Sequence, residues 1–185
     1  IRGPIATADF DRDGRGDLMG DFGARIWHGD GTFRAAFEIE GHDFAPVGAA
    51  DVTGDGIPDA LITDSGRRSL HVRPGRGDGT FLPAATFPLG HEVNAFHVAD
   101  IDGDGRRDVV LSGLERVQIV WGIPGPRLLS LPASLRLPSA AVAFAAADLD
   151  RDGAADLLVP RRLRSGVSVL FGPFDEGPAR TLEVD

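Results

Sequence analysis

Short apolar segments, separated by glycine, proline and aspartate, run along the whole chain. Four of these segments alternate apolar and polar residues and end in glycine: ARIWHG (24–29), LHVRPG (70–75), VQIVWG (117–122) and VSVLFG (167–172). This alternation is typical of β-strands, and no segment has the apolar period of an amphipathic helix, so the pattern predicts an all-β protein. The positions expected to face the interior are Ile26, Val72, Ile119 and Val169, with Arg25, His71, Gln118 and Ser168 on the opposite face.

One phrase recurs four times, as ADFDRDGRGDLMG, ADVTGDGIPDALIT, ADIDGDGRRDVVLS and ADLDRDGAADLLVP. The first aspartates of the copies are Asp9, Asp51, Asp100 and Asp148, with spacings of 42, 49 and 48 residues. Such a period is typical of the four-stranded blades of a β-propeller. We therefore expect a single propeller domain, residues 1–185, built from four four-stranded blades: repeats 1 to 4, at 1–41, 42–90, 91–138 and 139–185. A linear stack of the same units is the alternative.

Each copy of the phrase has the ligand pattern of a calcium loop. Calcium takes about six to eight oxygen ligands, and a short loop with carboxylates at alternate positions wraps one ion where glycine permits the turn. The predicted ligands at loop positions 1, 3, 5, 7 (main-chain carbonyl) and 9 are Asp9, Asp11, Asp13, Arg15 and Asp17 in repeat 1; Asp51, Thr53, Asp55, Ile57 and Asp59 in repeat 2; Asp100, Asp102, Asp104, Arg106 and Asp108 in repeat 3; and Asp148, Asp150, Asp152, Ala154 and Asp156 in repeat 4. Up to four Ca²⁺ ions are expected, and the loop with Thr53 is expected to bind most weakly.

Three other interpretations of these loops fit the sequence less well. An EF-hand needs a glutamate at position 12, and this position is Gly20, Ile62, Leu111 or Val159 here, which excludes that motif. Magnesium prefers strict octahedral geometry and keeps its waters, so it suits crowded carboxylates less well. Aspartate and glycine also favour turns without any metal, but four copies in phase argue against that reading.

The recurring phrase, together with the Gly-Asp-Gly-Thr-Phe turns at residues 29–33 and 77–81, resembles the FG-GAP/VCBS repeats of bacterial surface proteins and integrin α-chain propellers. The resemblance implies a calcium-binding extracellular propeller that serves as a structural, adhesive or protein-interaction module. Four repeats would either close as a ring within one chain or complete their array by pairing with another chain.

The charge of the chain is explained by the loops. The formal net charge is -9, and fifteen of the 28 acidic residues lie in the predicted loops, so four Ca²⁺ ions would bring the charge to -1. The negative charge still disfavours nucleic acid, and no apolar run is long enough for membrane insertion. The chain begins at Ile1 with no signal-like segment, and we expect a secreted protein, extracellular or periplasmic, whose signal peptide has been removed.

The sequence favours binding over catalysis. The chain has no cysteine and no recurring Ser-His constellation, and its paired carboxylates are used as metal ligands, so we expect that it is not an enzyme. A protein partner or self-association is the expected interaction. A lectin-like carbohydrate-binding propeller is the alternative, although the loops GDFGA, DSGRR, SGLER and RRLRSG share few of the recurring aromatic and polar residues that a sugar site needs.

Overall fold

A computed structural model describes residues 5–20, 22–37, 44–64, 66–93, 95–113, 116–122, 133–136, 145–160, 166–172, 174 and 180–184 of the 185-residue chain. These residues form sixteen β-strands and no helix. The strands make four separate sheets of four strands, and all strand pairs are antiparallel. The expectation of an all-β protein with four four-stranded units is confirmed.

Each sheet lies within one repeat, and its strands follow one another in chain order. Repeat 1 contains β1 (Ala6–Ala8), β2 (Asp17–Gly20), β3 (Gly23–Trp27) and β4 (Phe33–Phe37). Repeat 2 contains β5 (Phe44–Ala50), β6 (Asp59–Asp64), β7 (Ser69–Arg73) and β8 (Ala85–Pro88). Repeat 3 contains β9 (Ala95–Ala99), β10 (Asp108–Ser112), β11 (Arg116–Val120) and β12 (Ala133–Arg136). Repeat 4 contains β13 (Ala145–Ala147), β14 (Asp156–Pro160), β15 (Val167–Phe171) and β16 (Arg180–Val184).

The chain divides into two compact units, residues 1–90 with repeats 1 and 2, and residues 91–185 with repeats 3 and 4. In the first unit β1 contacts β5, and in the second β9 contacts β13, so the first strands of the two repeats lie side by side. Strand β1 is short and mostly alanine, and a small side chain lets one sheet approach the next closely. The single propeller domain over residues 1–185 stays a prediction.

The third strand of each sheet is buried as the alternation predicts. Ile26, Val72, Ile119 and Val169 are all buried. On the opposite face, Gln118 and Ser168 of the second unit are also buried, whereas Arg25 and His71 of the first unit are half-buried. Both faces of the third strand are therefore buried in the second unit. The second strand is buried on both faces in either unit, since β6 is buried at its first five residues and β10 at all five.

Candidate metal centres

The predicted ligands of each repeat lie together in the loop between its first and second strands. Position 1 directly follows the first strand, as Asp9 follows β1, and position 9 opens the second strand, as Asp17 opens β2. The other three repeats have the same arrangement. A local sequence pattern therefore brings all five predicted ligand positions of a repeat into one loop.

The aspartate at position 1 holds the loop in its bent shape. Its Oδ2 accepts the N–H of the position-6 glycine in all four repeats: 2.9 Å from Gly14 to Asp9, 2.8 Å from Gly56 to Asp51, 2.9 Å from Gly105 to Asp100 and 3.2 Å from Gly153 to Asp148. Its Oδ1 accepts a second N–H, from position 5 in repeat 1 and position 4 in the others. A short carboxylate that bonds nearby N–H groups stabilises a turn, so the loop forms from local interactions alone.

The loop backbone is left-handed at positions 4 and 6. Position 6 is glycine in every repeat, with φ of 85° at Gly14 and 96° at Gly153. Position 4 is Gly54 in repeat 2 and Gly103 in repeat 3, but it is arginine in repeats 1 and 4, where φ is 61° and 65°. An arginine at such φ is strained because its Cβ approaches the following carbonyl oxygen.

The aspartate at position 9 has a structural role that sequence reasoning missed. In each repeat this residue is fully buried. Its Oδ2 accepts the N–H of loop position 2. Its Oδ1 accepts the N–H of a residue at the end of the third strand or just after it. The distance from the main-chain nitrogen near the third strand to the carboxylate Oδ1 is 2.8 Å from Trp27 to Asp17, 3.0 Å from Gly75 to Asp59, 2.8 Å from Gly122 to Asp108 and 3.1 Å from Gly172 to Asp156. The residue therefore ties the loop to the third strand.

These bonds also correct the alignment of repeat 1. Aligning the third strands on their terminal glycine places Gly29 opposite Gly75, whereas the structure places Trp27 in that position, two residues earlier. The turn between β2 and β3 is short, with Gly20 paired to Gly23. Because the error is two residues, the interior face of the strand was still predicted correctly.

Burial and neighbouring negative charge raise the pKa of the position-9 carboxyl in repeats 2 and 3. Burial raises the pKa of Asp59 to about 6, although N–H bonds from Gly75 and Val52 oppose the rise. The pKa of Asp108 also rises to about 6, through burial first, with Asp102 and Asp104 adding repulsion. Burial and repulsion make the ionised forms of Asp59 and Asp108 less stable, and a cation bound beside them would offset both effects.

The carboxylates converge in three of the four loops. The groups whose oxygens lie within 4.8 Å of one another are Asp9, Asp11 and Asp13; Asp100, Asp102 and Asp108; and Asp148, Asp150 and Asp156. The described residues of repeat 2 form no such group. There Thr53 occupies position 3, and its hydroxyl donates to Asp51 Oδ1 over 3.3 Å.

In two loops an arginine side chain pairs with a predicted ligand and would compete with a metal ion for it, which the sequence analysis did not foresee. In repeat 1, Arg15 at position 7 places Nη1 at 2.7 Å from Asp13 Oδ2. In repeat 3, Arg106 places Nη1 at 2.6 Å from Asp104 Oδ2. The hydrogen bond from the Arg15 side chain lowers the pKa of Asp13. The guanidinium groups therefore neutralise position 5, while the predicted role of the position-7 carbonyls stays a prediction.

Two stretches of the sequence match the FG-GAP-like repeat model: residues 51–111 and 100–159, together more than half of the chain. The chain belongs to the FG-GAP-like repeat family. Each match runs from the aspartate loop of one repeat to the second strand of the next, so the FG-GAP-like repeats are in phase with the loops. The four sheets and this family are consistent with a propeller-like fold.

Comparison with solved structures supports that fold. A lectin from Agrocybe aegerita, whose structure addresses specific recognition of non-reducing terminal N-acetylglucosamine, superposes with a TM-score of 0.68 and 20% identity, over 97% of this chain and 53% of the lectin chain. The FG-GAP-like chain thus spans about half of that lectin's length. The structure of TcdB2-TccC3 matches over 78% of this chain and 8% of the other at 20% identity, with a TM-score of 0.46 that carries no argument.

Comparison with curated proteins gave no match. In the part of the chain that the structure describes, no helix has the length and apolar character needed to cross a membrane.

Proposed function

We propose that this chain is a calcium-binding, propeller-like repeat module that acts as a structural, adhesive or protein-interaction domain and has no catalytic role. The observation that supports calcium most directly is the loop geometry. Four loops share one hydrogen-bonded frame, and in three of them carboxylate oxygens lie within 4.8 Å of one another. Donor sets made only of oxygen suit a hard divalent cation, and flexible loops suit calcium better than magnesium.

The protein's own residues prepare the loop for the ion. Position 1 bends the backbone around its carboxylate, and position 9 ties the loop to the third strand. Bound Ca²⁺ would supply the positive charge that these carboxylates lack and cross-link the loop. Since the carboxylates are ligands and hydrogen-bond acceptors, they are poorly placed for acid–base catalysis.

We also propose that the protein works outside the cytoplasm. Loops of this kind fill readily where free calcium is millimolar, as in extracellular fluids, because weaker sites suffice there. The family resemblance to surface-protein repeats points to the same place.

Calcium titration by calorimetry, after removal of metal with a chelator, tests the proposal. We expect saturable binding of up to four Ca²⁺ ions, with weaker binding of Mg²⁺. Asp13→Asn, at position 5 of repeat 1, should weaken one site by roughly tenfold or more because it removes a ligand charge. Asp30→Asn is the matched control, since Asp30 is exposed and lies in the turn at residues 29–33, outside the loops. Absence of saturable binding at millimolar calcium would contradict the proposal.

A lectin-like role is the second candidate. It is supported by the similarity in fold to the Agrocybe aegerita lectin. A glycan array that includes glycans ending in N-acetylglucosamine, probed with and without calcium, separates the two roles. Strong binding to one sugar class would favour the lectin, and no binding across the array would favour the protein-interaction module.

A further inference from the structure

In the second unit, a main-chain hydrogen bond joins the aspartate loops of repeats 3 and 4. Ala155, at position 8 of the repeat 4 loop, donates its N–H to the carbonyl oxygen of Ile101, at position 2 of the repeat 3 loop, over 3.1 Å. Both residues are buried, and both belong to the apolar core that repeats 3 and 4 share. A hydrogen bond shielded from water in this way is stronger than one between exposed loops.

The main chains of the two loops are also in close contact beside this bond. A Cβ at Gly103, position 4 of the repeat 3 loop, would lie 2.5 Å from the carbonyl oxygen of Gly153, position 6 of the repeat 4 loop. The residue at position 103 therefore has no room for a side chain on that side. Because main chain packs against main chain here, a change in the shape of one loop displaces the other.

The hydrogen bond connects the predicted ligands of one loop with those of the other. The N–H of Ala155 belongs to the same peptide group as the carbonyl of Ala154, the predicted position-7 ligand of repeat 4. Ile101 donates its own N–H to Asp108 Oδ2, position 9 of repeat 3, over 2.7 Å. A cation at a peptide carbonyl polarises the N–H of the same group and strengthens the bond that this N–H donates. An ion in the repeat 4 loop would therefore strengthen the link to the repeat 3 loop.

The corresponding carbonyl in the first unit bonds a different segment. Position 8 of the repeat 2 loop is Pro58, which has no N–H to donate. The carbonyl of Phe10, at position 2 of the repeat 1 loop, accepts the N–H of Gly79 over 3.0 Å, from the turn at residues 77–81. Position 2 of repeat 1 is thus bonded to a turn, whereas position 2 of repeat 3 is bonded to the next aspartate loop.

We propose that calcium binding by the loops of repeats 3 and 4 is positively cooperative, and that the hydrogen bond between Ala155 and Ile101 couples them. An ion in one loop orders that loop and with it one partner of the bond, so the second loop loses less conformational freedom when it binds its own ion. Each occupied loop should tighten calcium binding by the other about fivefold, the factor that one hydrogen bond contributes. The loops of repeats 1 and 2 should bind independently of each other. The inference rests on the proposed calcium binding and adds its regulation.

Calcium titration of variants that lack one ligand tests the coupling. Asp104→Asn removes the position-5 carboxylate of repeat 3, and calcium binding by repeat 4, read at the Gly153 amide by nuclear magnetic resonance, should weaken by up to about fivefold. Asp13→Asn is the matched control in the first unit, because Asp13 also occupies position 5 and also pairs with an arginine at position 7. Binding by repeat 2, read at the Gly56 amide, should stay unchanged. Salt at about 0.15 M screens charges more than about 8 Å apart.

Removing the hydrogen bond separates its effect from that of charge. Ala155→Pro eliminates the N–H without changing any charge, and the repeat 2 loop already has proline at this position, as Pro58. Both loops of the second unit should still bind calcium, but the effect of Asp104→Asn on the Gly153 amide should disappear. Ala155→Gly keeps the N–H and should keep the coupling.

Amide hydrogen exchange gives a readout other than calcium affinity. Asp152→Asn weakens calcium binding by the repeat 4 loop itself and leaves the repeat 3 loop intact. Calcium that fills the repeat 3 loop of this variant should slow exchange of the Ala155 amide by roughly fivefold, because its acceptor Ile101 becomes ordered. The rate should not change when the same calcium is added to a variant that carries both Asp152→Asn and Asp104→Asn.

Circular dichroism first verifies that each variant is folded. Saturation of all four loops, with the Gly153 titration unaffected by Asp104→Asn, would overturn the coupling and leave the proposed calcium binding intact. So would equal effects in the two units, or coupling that persists in Ala155→Pro. If Ala155→Pro does not fold, the ligand variants and the exchange of the Ala155 amide decide. Absence of saturable shifts at every loop would overturn the proposed function, and this inference with it.

Discussion

Single residues distinguish four loops that share one backbone. Position 3 is a carboxylate in three repeats and Thr53 in repeat 2, where the hydroxyl bonds Asp51. Position 7 is arginine in repeats 1 and 3, and its side chain pairs with the carboxylate at position 5. Loops of the same shape therefore present different net charge to a cation.

Replacing Thr53 with aspartate should strengthen the loop of repeat 2. In the wild type this loop should bind calcium most weakly, because it has three carboxylates rather than four, and Thr53→Asp should tighten it by roughly tenfold or more. Nuclear magnetic resonance of the position-6 amides of Gly14, Gly56, Gly105 and Gly153 reports each loop separately. Thr53→Ser keeps the hydroxyl and should leave the ranking unchanged. A wild-type repeat 2 loop among the tightest would contradict this prediction.

Removing the arginine of repeat 3 should also tighten calcium binding. The Arg106 guanidinium pairs with the Asp104 carboxylate and repels a cation. Arg106→Ala should therefore tighten calcium binding by this loop by up to about fivefold, the factor expected from an exposed ion pair. The same amide titration, read at Gly105, measures the change. Arg107→Ala removes the same charge one residue away and should have a smaller effect. Equal effects of the two variants would show that net charge, and not the ion pair between Arg106 and Asp104, causes the tighter calcium binding.

At the scale of elements, the aspartate loops are packed against neighbouring structure. Position 9 links each loop to the end of the third strand of its own sheet. In the second unit, the loops of repeats 3 and 4 also approach each other, because a Cβ at Gly103 would lie 2.5 Å from the Gly153 carbonyl oxygen. The loop of repeat 2 has nothing within 4 Å of the same position, at Gly54.

This difference gives a matched pair of substitutions. Gly54 and Gly103 both occupy position 4, with φ of 75° and 76°. Gly54→Ala should lower the free energy of unfolding by about 1–2 kcal/mol, through left-handed strain alone. Gly103→Ala should lose about 1–3 kcal/mol more, because its methyl group overlaps the backbone of the next loop. Urea unfolding of both variants measures the difference, and equal losses would show that the two loops do not touch.

At the scale of the whole molecule, acidic charge and folding are coupled. Fifteen of the 28 acidic residues lie in four short loops, and the chain carries a formal charge of -9. Without a cation these carboxylates repel one another within each loop. The stability of both units should therefore depend on calcium.

Chelation should lower the thermal midpoint. Each site that binds only the folded chain stabilises it by about 2.7 kcal/mol when free calcium is about 100 times the Kd. Calorimetric melting in calcium, and again after addition of chelator, measures the loss, and magnesium in place of calcium should restore little of it. An unchanged midpoint in chelator would show that the hydrogen-bonded frame alone holds the loops.

Local patterns made much of this fold and site predictable. The alternation in the third strands identified their buried face, including Ile26 and Val72, because side-chain direction in a strand depends only on residue parity. The four in-phase copies of the phrase located each loop between the first and second strands. Spacing within nine residues also placed the carboxylates of positions 1 and 3 together, since the turn that gathers them is local.

Contacts between distant residues were decided by tertiary structure alone. Asp17 bonds Trp27 ten residues away, and Asp59 bonds Gly75 sixteen residues away, so the second role of position 9 depends on where the third strand ends. Phe81, which ends the Gly-Asp-Gly-Thr-Phe turn of repeat 2, contacts Phe10 of the preceding repeat. Phe33 ends the same turn in repeat 1 and is exposed. The sequence by itself determined the strands, the repeats and the loop chemistry, because these depend on neighbours along the chain. Packing of sheets decided which identical motifs are covered, because burial depends on neighbours in space.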